Sequence, residues 1–368
     1  MDNNTHDMRG VDFLVNKADL GQQEFRDSGT RAALGEGQVR LLVDKFALTA
    51  NNVTYAAFGD AMKYWHFFPS GDETFGRVPV WGFAVVDESR CEGVNPGERI
   101  YGFLPMSTEF IVMPVSISDG SFADGMEHRK VLHMVYNQYT RVNGDPAYDP
   151  AREAQQMILR PLFMTSYLIE CFLRDNDYFS GGRVILSSAS SKTAIGVAYQ
   201  IANSEERSVE LVGLTSAANQ AFVRELGLYD AVVTYDDVEG LGTEVATVFV
   251  DMAGNSEVLR RLHTQLNDSL QYSCLVGASH WDANGPPGTL AGPKPEWFFA
   301  PAQFQERAAE AGAAAVLQQF SLAWRSFVVS TDDWMEVTEL QGEAAIQQTF
   351  NQVLSGTAPP SKAYILSY

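Results

Sequence analysis

Seven consecutive residues, Ser187-Ser188-Ala189-Ser190-Ser191-Lys192-Thr193, concentrate the polar chemistry of this chain. Hydroxyls donate hydrogen bonds to anionic oxygens and an ammonium adds a full charge, so Ser188, Ser190, Ser191, Lys192 and Thr193 are competent phosphate ligands. The Ser-Lys-Thr ending is shared with nucleoside-triphosphatase loops, but the glycines such a loop needs are missing. A second concentration is the segment Lys63-Tyr64-Trp65-His66-Phe67-Phe68. Its aromatic density suits core packing, with the phenol of Tyr64 as a candidate acid. His128 and His133 are five apart and lack the HExxH glutamate, which reads as a solvated or core pair, and no metal site is expected.

The elements around the serine run would place it at the head of a helix. Val184-Ile185-Leu186 is a short apolar run of the kind a strand buried on both faces shows. Beyond the run, Ala194, Ile195, Val197, Ala198, Ile201 and Ala202 put small and aliphatic residues at helical spacing. Strand, tight turn and close-packed helix form the first unit of a Rossmann domain, where a helix N-terminus faces a pyrophosphate. Strands at residues 209–214, 231–233 and 247–250, with a helix from Ala217 to Leu226, continue the series. At the end of the strand at 209–214 an Asp or Glu would bond a ribose and repel a 2′-phosphate. Thr215 and Ser216 stand there instead, which favours the NADP form, unless they merely cap the next helix.

The first third of the chain reads differently. Gln38–Ala47, residues 78–86, 93–102 and Glu109–Val115 read as short strands with turns, and Asn95-Pro96-Gly97 is a turn in which Pro presets φ and Gly takes the left-handed position. The adjacent Asn51 and Asn52 suit another turn. A β-rich third followed by βαβ units implies two domains. The fold class is α/β with a β-rich domain beside a doubly wound parallel sheet.

Composition narrows the function. The 368 residues are 45% hydrophobic, enough for two domains with real cores. A formal charge of −20 argues against nucleic acid and anionic membranes. No apolar run approaches a membrane span and the first ten residues lack a signal-peptide core, so a cytoplasmic protein is expected. Cys91, Cys171 and Cys274 give neither a disulfide framework nor a metal pair, which fits a reducing compartment.

Several segments, taken together and in order, resemble the medium-chain dehydrogenase/reductase superfamily. They are QVRLLVDKFALTANNVTYAAFGD, VWGFAVVDESRCEGVNPGERIYGFLP, RPLFMTSY, residues 183–235, VDMAGN, LVGA and PSKAYIL. The resemblance implies a GroES-like domain at 1–150, completed by 325–368, and a Rossmann domain at 151–324. Zinc alcohol dehydrogenases of the superfamily need Cys and His-Glu where this chain has Asn51-Asn52 and Trp81-Gly82. The zinc-free branch, similar to quinone and enoyl reductases, fits better.

That resemblance implies a nicotinamide dinucleotide on the serine run, although side chains stand where relatives carry glycines. The site is therefore open between a bound dinucleotide and an altered or empty turn. It also implies Asn219, Tyr235, Gly254, Gly277 and Ala278 as cofactor contacts. Asn52, Tyr55 and Tyr64 would face the nicotinamide, Asn52 holding a substrate carbonyl and a tyrosine donating the proton, with His280 as a further acid. The insertion 121–150 would form a lid or a partner surface. Three readings follow: an NADP-dependent reductase of activated C=C or C=O bonds, a non-redox enzyme on the same scaffold, and a binding protein without catalysis. A homodimer acting on a small molecule is expected.

Overall fold

The computed structural model describes residues 10–29, 31–276 and 290–368. The chain divides into a unit of Met1–Ile158, Val337–Ala358 and Lys362–Tyr368 and a unit of Leu159–Glu336 with Pro359–Ser361.

In the first unit β1 (Val11–Asn16), β2 (Gln23–Asp27) and β4 (Phe75–Arg77) form a small antiparallel sheet, in the order β2-β1-β4. The larger sheet is built from β3 (Val39–Leu48), β5 (Pro79–Ser89), β6 (Arg99–Pro105), β7 (Glu109–Val112), β8 (Pro114–Val115), β9 (Ser121–Asp124) and β10 (Gln138–Arg141). Two late strands, β17 (Glu336–Gln341) and β18 (Lys362–Ser367), complete it in the order β17-β18-β3-β5-β6-β10-β9-β8, with β7 also on β3. Gly82 on β5 permits a close approach to β3. A Cβ there would lie 2.4 Å from the Lys45 carbonyl oxygen and 2.8 Å from the Phe46 Cβ. Gly97 takes φ +87° in the Asn95-Pro96-Gly97 turn, as its sequence requires.

Phe13, Leu41, Phe46, Val80, Ile100 and Leu104 fill the core, and α8 (Glu343–Leu354) covers it with Ile346, Phe350 and Val353. The pair Asn51-Asn52 lies within a helix, α1 (Ala50–Ala57), rather than in a turn. The reason is local: the Asn52 side-chain oxygen accepts the Thr49 N–H at 2.7 Å, which closes a capping box. The 121–150 insertion is not a lid. Its β9 and β10 pair with each other, and with β8 and β6, as part of the sheet.

The second unit follows α2 (Glu153–Asp175) with β11 (Arg183–Leu186), α3 (Lys192–Ala202), β12 (Glu210–Thr215), α4 (Gln220–Glu225), β13 (Ala231–Thr234), β14 (Thr247–Asp251), α5 (Ser256–Leu266), β15 (Leu270–Leu275) and β16 (Glu296–Trp297). All six strands are parallel, in the order β13-β12-β11-β14-β15-β16. Every residue of β11 and β14 is buried, which explains their unbroken apolar runs. Gly196 lets α3 press on α2, since a Cβ there would come within 2.6 Å of the Ser166 hydroxyl. Two helices, α6 (Ala300–Ala311) and α7 (Ala313–Ser330), follow. Because Trp324 and Phe327 of α7 are buried with Phe163, the chain stays in this unit past residue 325 and returns only at Val337.

Candidate functional site

Two regions hold the residues singled out above, one in each unit. The first is the turn between β11 and α3. Strand order reverses between β11 and β14, and in open α/β sheets ligands bind at the carboxyl ends of the strands at such a switch. A residue the sequence reading passed over knits those two ends. Ser187 donates its hydroxyl to Asp251 Oδ1 at 2.5 Å and accepts the N–H groups of Met252 and Ala253. Asp251 Oδ1 also takes the Gly254 N–H at 3.2 Å, so Gly254 serves this knot.

The turn itself is tight. Ser188 adopts φ +48° and its carbonyl accepts the Ser191 N–H at 2.7 Å. The Ser188 N–H is donated to the Tyr235 hydroxyl at 3.0 Å, and burial pushes that phenol up to about 12. Tyr229 donates its hydroxyl to the Ala189 carbonyl at 3.0 Å. Asn219 donates to Ser190 Oγ at 3.1 Å, and Ser191 Oγ caps α3 by accepting the Ala194 N–H. The Thr193 carbonyl accepts from Ser166 at 2.8 Å. The Lys192 ammonium donates one of its three N–H groups to the Pro360 carbonyl at 3.2 Å, and desolvation lowers it to about 8. At the end of β12 Thr215 is buried, whereas Ser216 sits at a helix N-cap with no capping hydrogen bond from its hydroxyl.

The second region is an aromatic cluster of Tyr55, Tyr64, Phe67, Phe68 and Phe103, with Trp81 and Tyr136 against it. Tyr55 comes from α1 and Tyr64 from a 3-10 turn at Tyr64–His66; their rings lie 4.5 Å apart. Asn51 donates to the Tyr55 hydroxyl at 2.7 Å, and the Tyr64 and Tyr136 hydroxyls are 3.2 Å apart. Burial raises all three phenols above their ordinary range. Tyr136 comes from the insertion and no sequence signal marked it. The insertion is anchored by Arg129, which is 1% exposed, pairs with Asp124 at 3.3 Å and lies over the rings of Phe67 and Phe68.

Asn52, expected to hold a substrate carbonyl, is spent elsewhere. It is 3% exposed, its oxygen accepts from Thr49 and its amide donates to the Pro79 carbonyl at 2.9 Å. Its role is to fix α1, and with it Tyr55. Gly277, Ala278 and His280 lie outside the described residues. Among the described residues no group of three His, Cys, Asp or Glu is placed to hold a metal ion. His263 does meet Ser273, at 2.9 Å, but both are fully buried, so this pair is structural.

Comparison with solved structures places the whole chain. CurA from Vibrio vulnificus matches with a TM-score of 0.60 at 15% identity, covering 97% of this chain and 98% of that one. CurA in complex with NADPH, from the same organism, matches with a TM-score of 0.59 at 13% identity, over 97% and 98% of the two chains. A mutant form of enoyl thioester reductase from Candida tropicalis matches with a TM-score of 0.57 at 10% identity, over 98% and 100%. The chain shares the fold of these structures, an antiparallel β-rich unit of the GroES-like kind and a parallel-sheet unit of the Rossmann kind. No curated protein matches the sequence. A family model described as "Protein of unknown function (DUF2855)" matches residues 46–359.

Proposed function

Since the chain belongs to the DUF2855 family, whose description assigns no reaction, we propose from the sites themselves that it is a zinc-independent, NADP(H)-dependent oxidoreductase. It reduces an activated C=C or C=O bond of a small organic substrate. The observation that carries this reading is the β11–α3 turn. A helix N-terminus stands at the switch point of a parallel sheet, beside a strand whose end bears Thr215 and Ser216 and no carboxylate. Solved neighbours that bind NADPH or NADP share the fold, which supports the cofactor class.

The residues fit the dinucleotide under one condition. Ser188, Ser190, Ser191, Lys192, Thr193 and the α3 amides would hold the diphosphate, and Thr215, Ser216 and Asn219 the ribose phosphate. The Ser188 N–H, now donated to Tyr235, must be released for a phosphate oxygen to take it. When bound, the cofactor supplies a hydride. The chain's own part is a proton held on a phenol in a cluster that excludes water, for which Tyr64 is the candidate.

A specific observation favours a second reading, a binding protein without redox chemistry. Ser188, Ala189 and Ser190 each bond inside the protein, to Tyr235, Tyr229 and Asn219. Fluorescence titration with NADPH and NADH separates the two. The reductase reading expects NADPH to bind more tightly, because nothing at Thr215-Ser216 repels a 2′-phosphate, and expects NADPH consumption on a panel of enones. Tighter NADH binding, or no binding of either, defeats it. A cytoplasmic homodimer belongs to the same proposal. The edge strand β16 and the residues after it expose Trp297 and Phe299, and among the described residues no helix is long and apolar enough to cross a membrane.

A further inference from the structure

One contact of the β11–α3 turn reaches a piece of chain from far along the sequence. Pro359–Ser361 belongs to the second unit, although Ala358 before it and Lys362 after it belong to the first. Its two prolines carry no N–H, so at those residues the backbone can be held only through its carbonyls. Donors from the second unit hold two carbonyls of the segment. The Lys192 ammonium donates to that of Pro360 at 3.2 Å, and the Glu336 N–H, at the start of β17, to that of Ser361 at 2.9 Å. The Glu336 bond joins backbone to backbone. The Lys192 bond comes from a side chain whose residue opens α3, at the switch point of the parallel sheet.

An ammonium has three protons, and the Pro360 carbonyl takes one of them. Lys192 can therefore meet an anionic oxygen at the head of α3 without letting go of Pro360. Such an oxygen would do two things to the existing bond. It would fix the ammonium in position, and it would favour its charged form, which desolvation disfavours in the free chain. A hydrogen bond from a fully charged donor is shorter and stronger than a neutral one.

We propose that Lys192 is a bridge through which a diphosphate bound at the β11–α3 turn tightens the return segment Pro359–Ser361. The bridge rests on the reading of that turn as a phosphate site. One Lys192 proton goes to a phosphate oxygen and another stays on the Pro360 carbonyl, so the segment registers whether the turn is occupied. Coupling of this kind is reciprocal: a segment held in place presents the ammonium to the ligand, and a loosened one weakens the ligand by the same factor. The chain runs from this segment directly into β18, whose Tyr364 pairs with Leu48 of β3.

The test is hydrogen–deuterium exchange of the intact chain near pH 7.5, with and without saturating NADPH. It is read on peptides spanning residues 357–363, where Ala358, Ser361 and Lys362 supply the reporting amides. In the wild type NADPH should slow exchange there by about fivefold or more, the low end of coupling between sites. In Lys192→Met without ligand the same amides should exchange about three- to tenfold faster than in the wild type, the worth of one lost hydrogen bond. NADPH at saturation should then leave them unchanged, while Lys192→Arg, which keeps a charged donor with several protons, should recover part of the response. NADPH that binds the wild type and leaves the segment unchanged, or speeds its exchange, overturns the bridge and spares the phosphate site. A slowing that survives whole in Lys192→Met overturns it too, because the segment then responds by another route. Should Lys192→Met bind no NADPH, the wild-type slowing and the ligand-free loosening decide together, and either one missing overturns the bridge. A wild type that binds no NADPH in a fluorescence titration overturns the phosphate site and the bridge with it.

Discussion

The β11–α3 turn and the tyrosine cluster are both hydroxyl-rich, and they manage their hydrogen bonds in opposite ways. In the turn, donors and acceptors are closed by the protein: Tyr235 takes the Ser188 N–H, Tyr229 satisfies the Ala189 carbonyl and Asn219 holds Ser190. In the cluster, Asn51 donates to the Tyr55 hydroxyl, and the Tyr64 and Tyr136 hydroxyls meet only each other at 3.2 Å among the bonds of the described residues. A ligand at the turn must displace bonds already made, so part of its binding free energy goes to that exchange. On the proposed function, the turn would bind its ligand at the expense of bonds already made, whereas the cluster would meet its substrate with hydroxyls already held in place.

The largest expected effect tests the cluster. Tyr64→Phe removes one hydroxyl and keeps the ring packed against Tyr55, 4.5 Å away. NADPH consumption on a responsive enone should fall by about 100- to 10,000-fold, the usual worth of a general acid, while NADPH affinity stays within about twofold. Tyr55→Phe should cost far less, because the Tyr55 hydroxyl is engaged by Asn51 at 2.7 Å and by Trp81 at 3.5 Å. Normal turnover in Tyr64→Phe with collapse in Tyr55→Phe would move the donor role to Tyr55.

The two regions were unequally legible in the sequence. The turn showed itself because its chemistry is contiguous: Val184–Leu186, the hydroxyl run and the small residues of α3 are adjacent in the chain. Even so, its partners were not visible. Tyr229 enters from beyond α4 and Lys192 turns to Pro360, long-range contacts that no local pattern encodes. The cluster showed only its half on α1 and the 3-10 turn. Tyr136 lies 72 residues from Tyr64, in an insertion whose anchor is a buried Arg129–Asp124 pair rather than a periodic apolar face. Asn52 misled because an asparagine at a helix start has the same composition as a turn, and only the Thr49 N–H tells them apart. The order of sheets and units followed from hydrophobic periodicity, whereas the return at Val337 was set by Trp324 and Phe327, whose helical spacing does not say which core they join.

Closure of the turn also predicts a pH effect. The Lys192 ammonium, lowered from 10.5 to about 8 by desolvation, is neutral in the folded chain at a pH where it is still charged in the unfolded one. The unfolded state then binds more protons, so stability rises as pH climbs from about 8 towards 10.5, by at most roughly 3 kcal/mol. Urea unfolding at pH 7.5 and 9.5 should show the rise in the wild type and lose it in Lys192→Met. The window closes near pH 10, where the buried tyrosines, raised in the folded state, start to favour unfolding instead. A Lys192→Met protein with the same slope as the wild type would mean the ammonium is fully solvated, and the turn less closed than its geometry indicates.

The smallest effect isolates a single bond. Tyr235→Phe keeps the ring and removes the oxygen that accepts the Ser188 N–H at 3.0 Å. In the free protein an amide loses its partner at a half-buried site, which should lower stability by about 1 kcal/mol, the low end for an unsatisfied buried donor. In the complex a phosphate oxygen would take that amide in either protein, so the wild type must first give up a bond that the variant lacks. Linkage therefore demands the opposite sign for affinity: NADPH should bind Tyr235→Phe several-fold more tightly while the free variant unfolds at lower urea. The pair of signs matters more than either size. Lower stability with weaker NADPH binding would mean that the hydroxyl serves the ligand directly, and the turn would then differ from the cluster in its partners but not in its readiness. Lower stability with unchanged binding would place the ligand away from Ser188 altogether, leaving the Tyr235 bond a purely structural clamp between β11 and the end of β13.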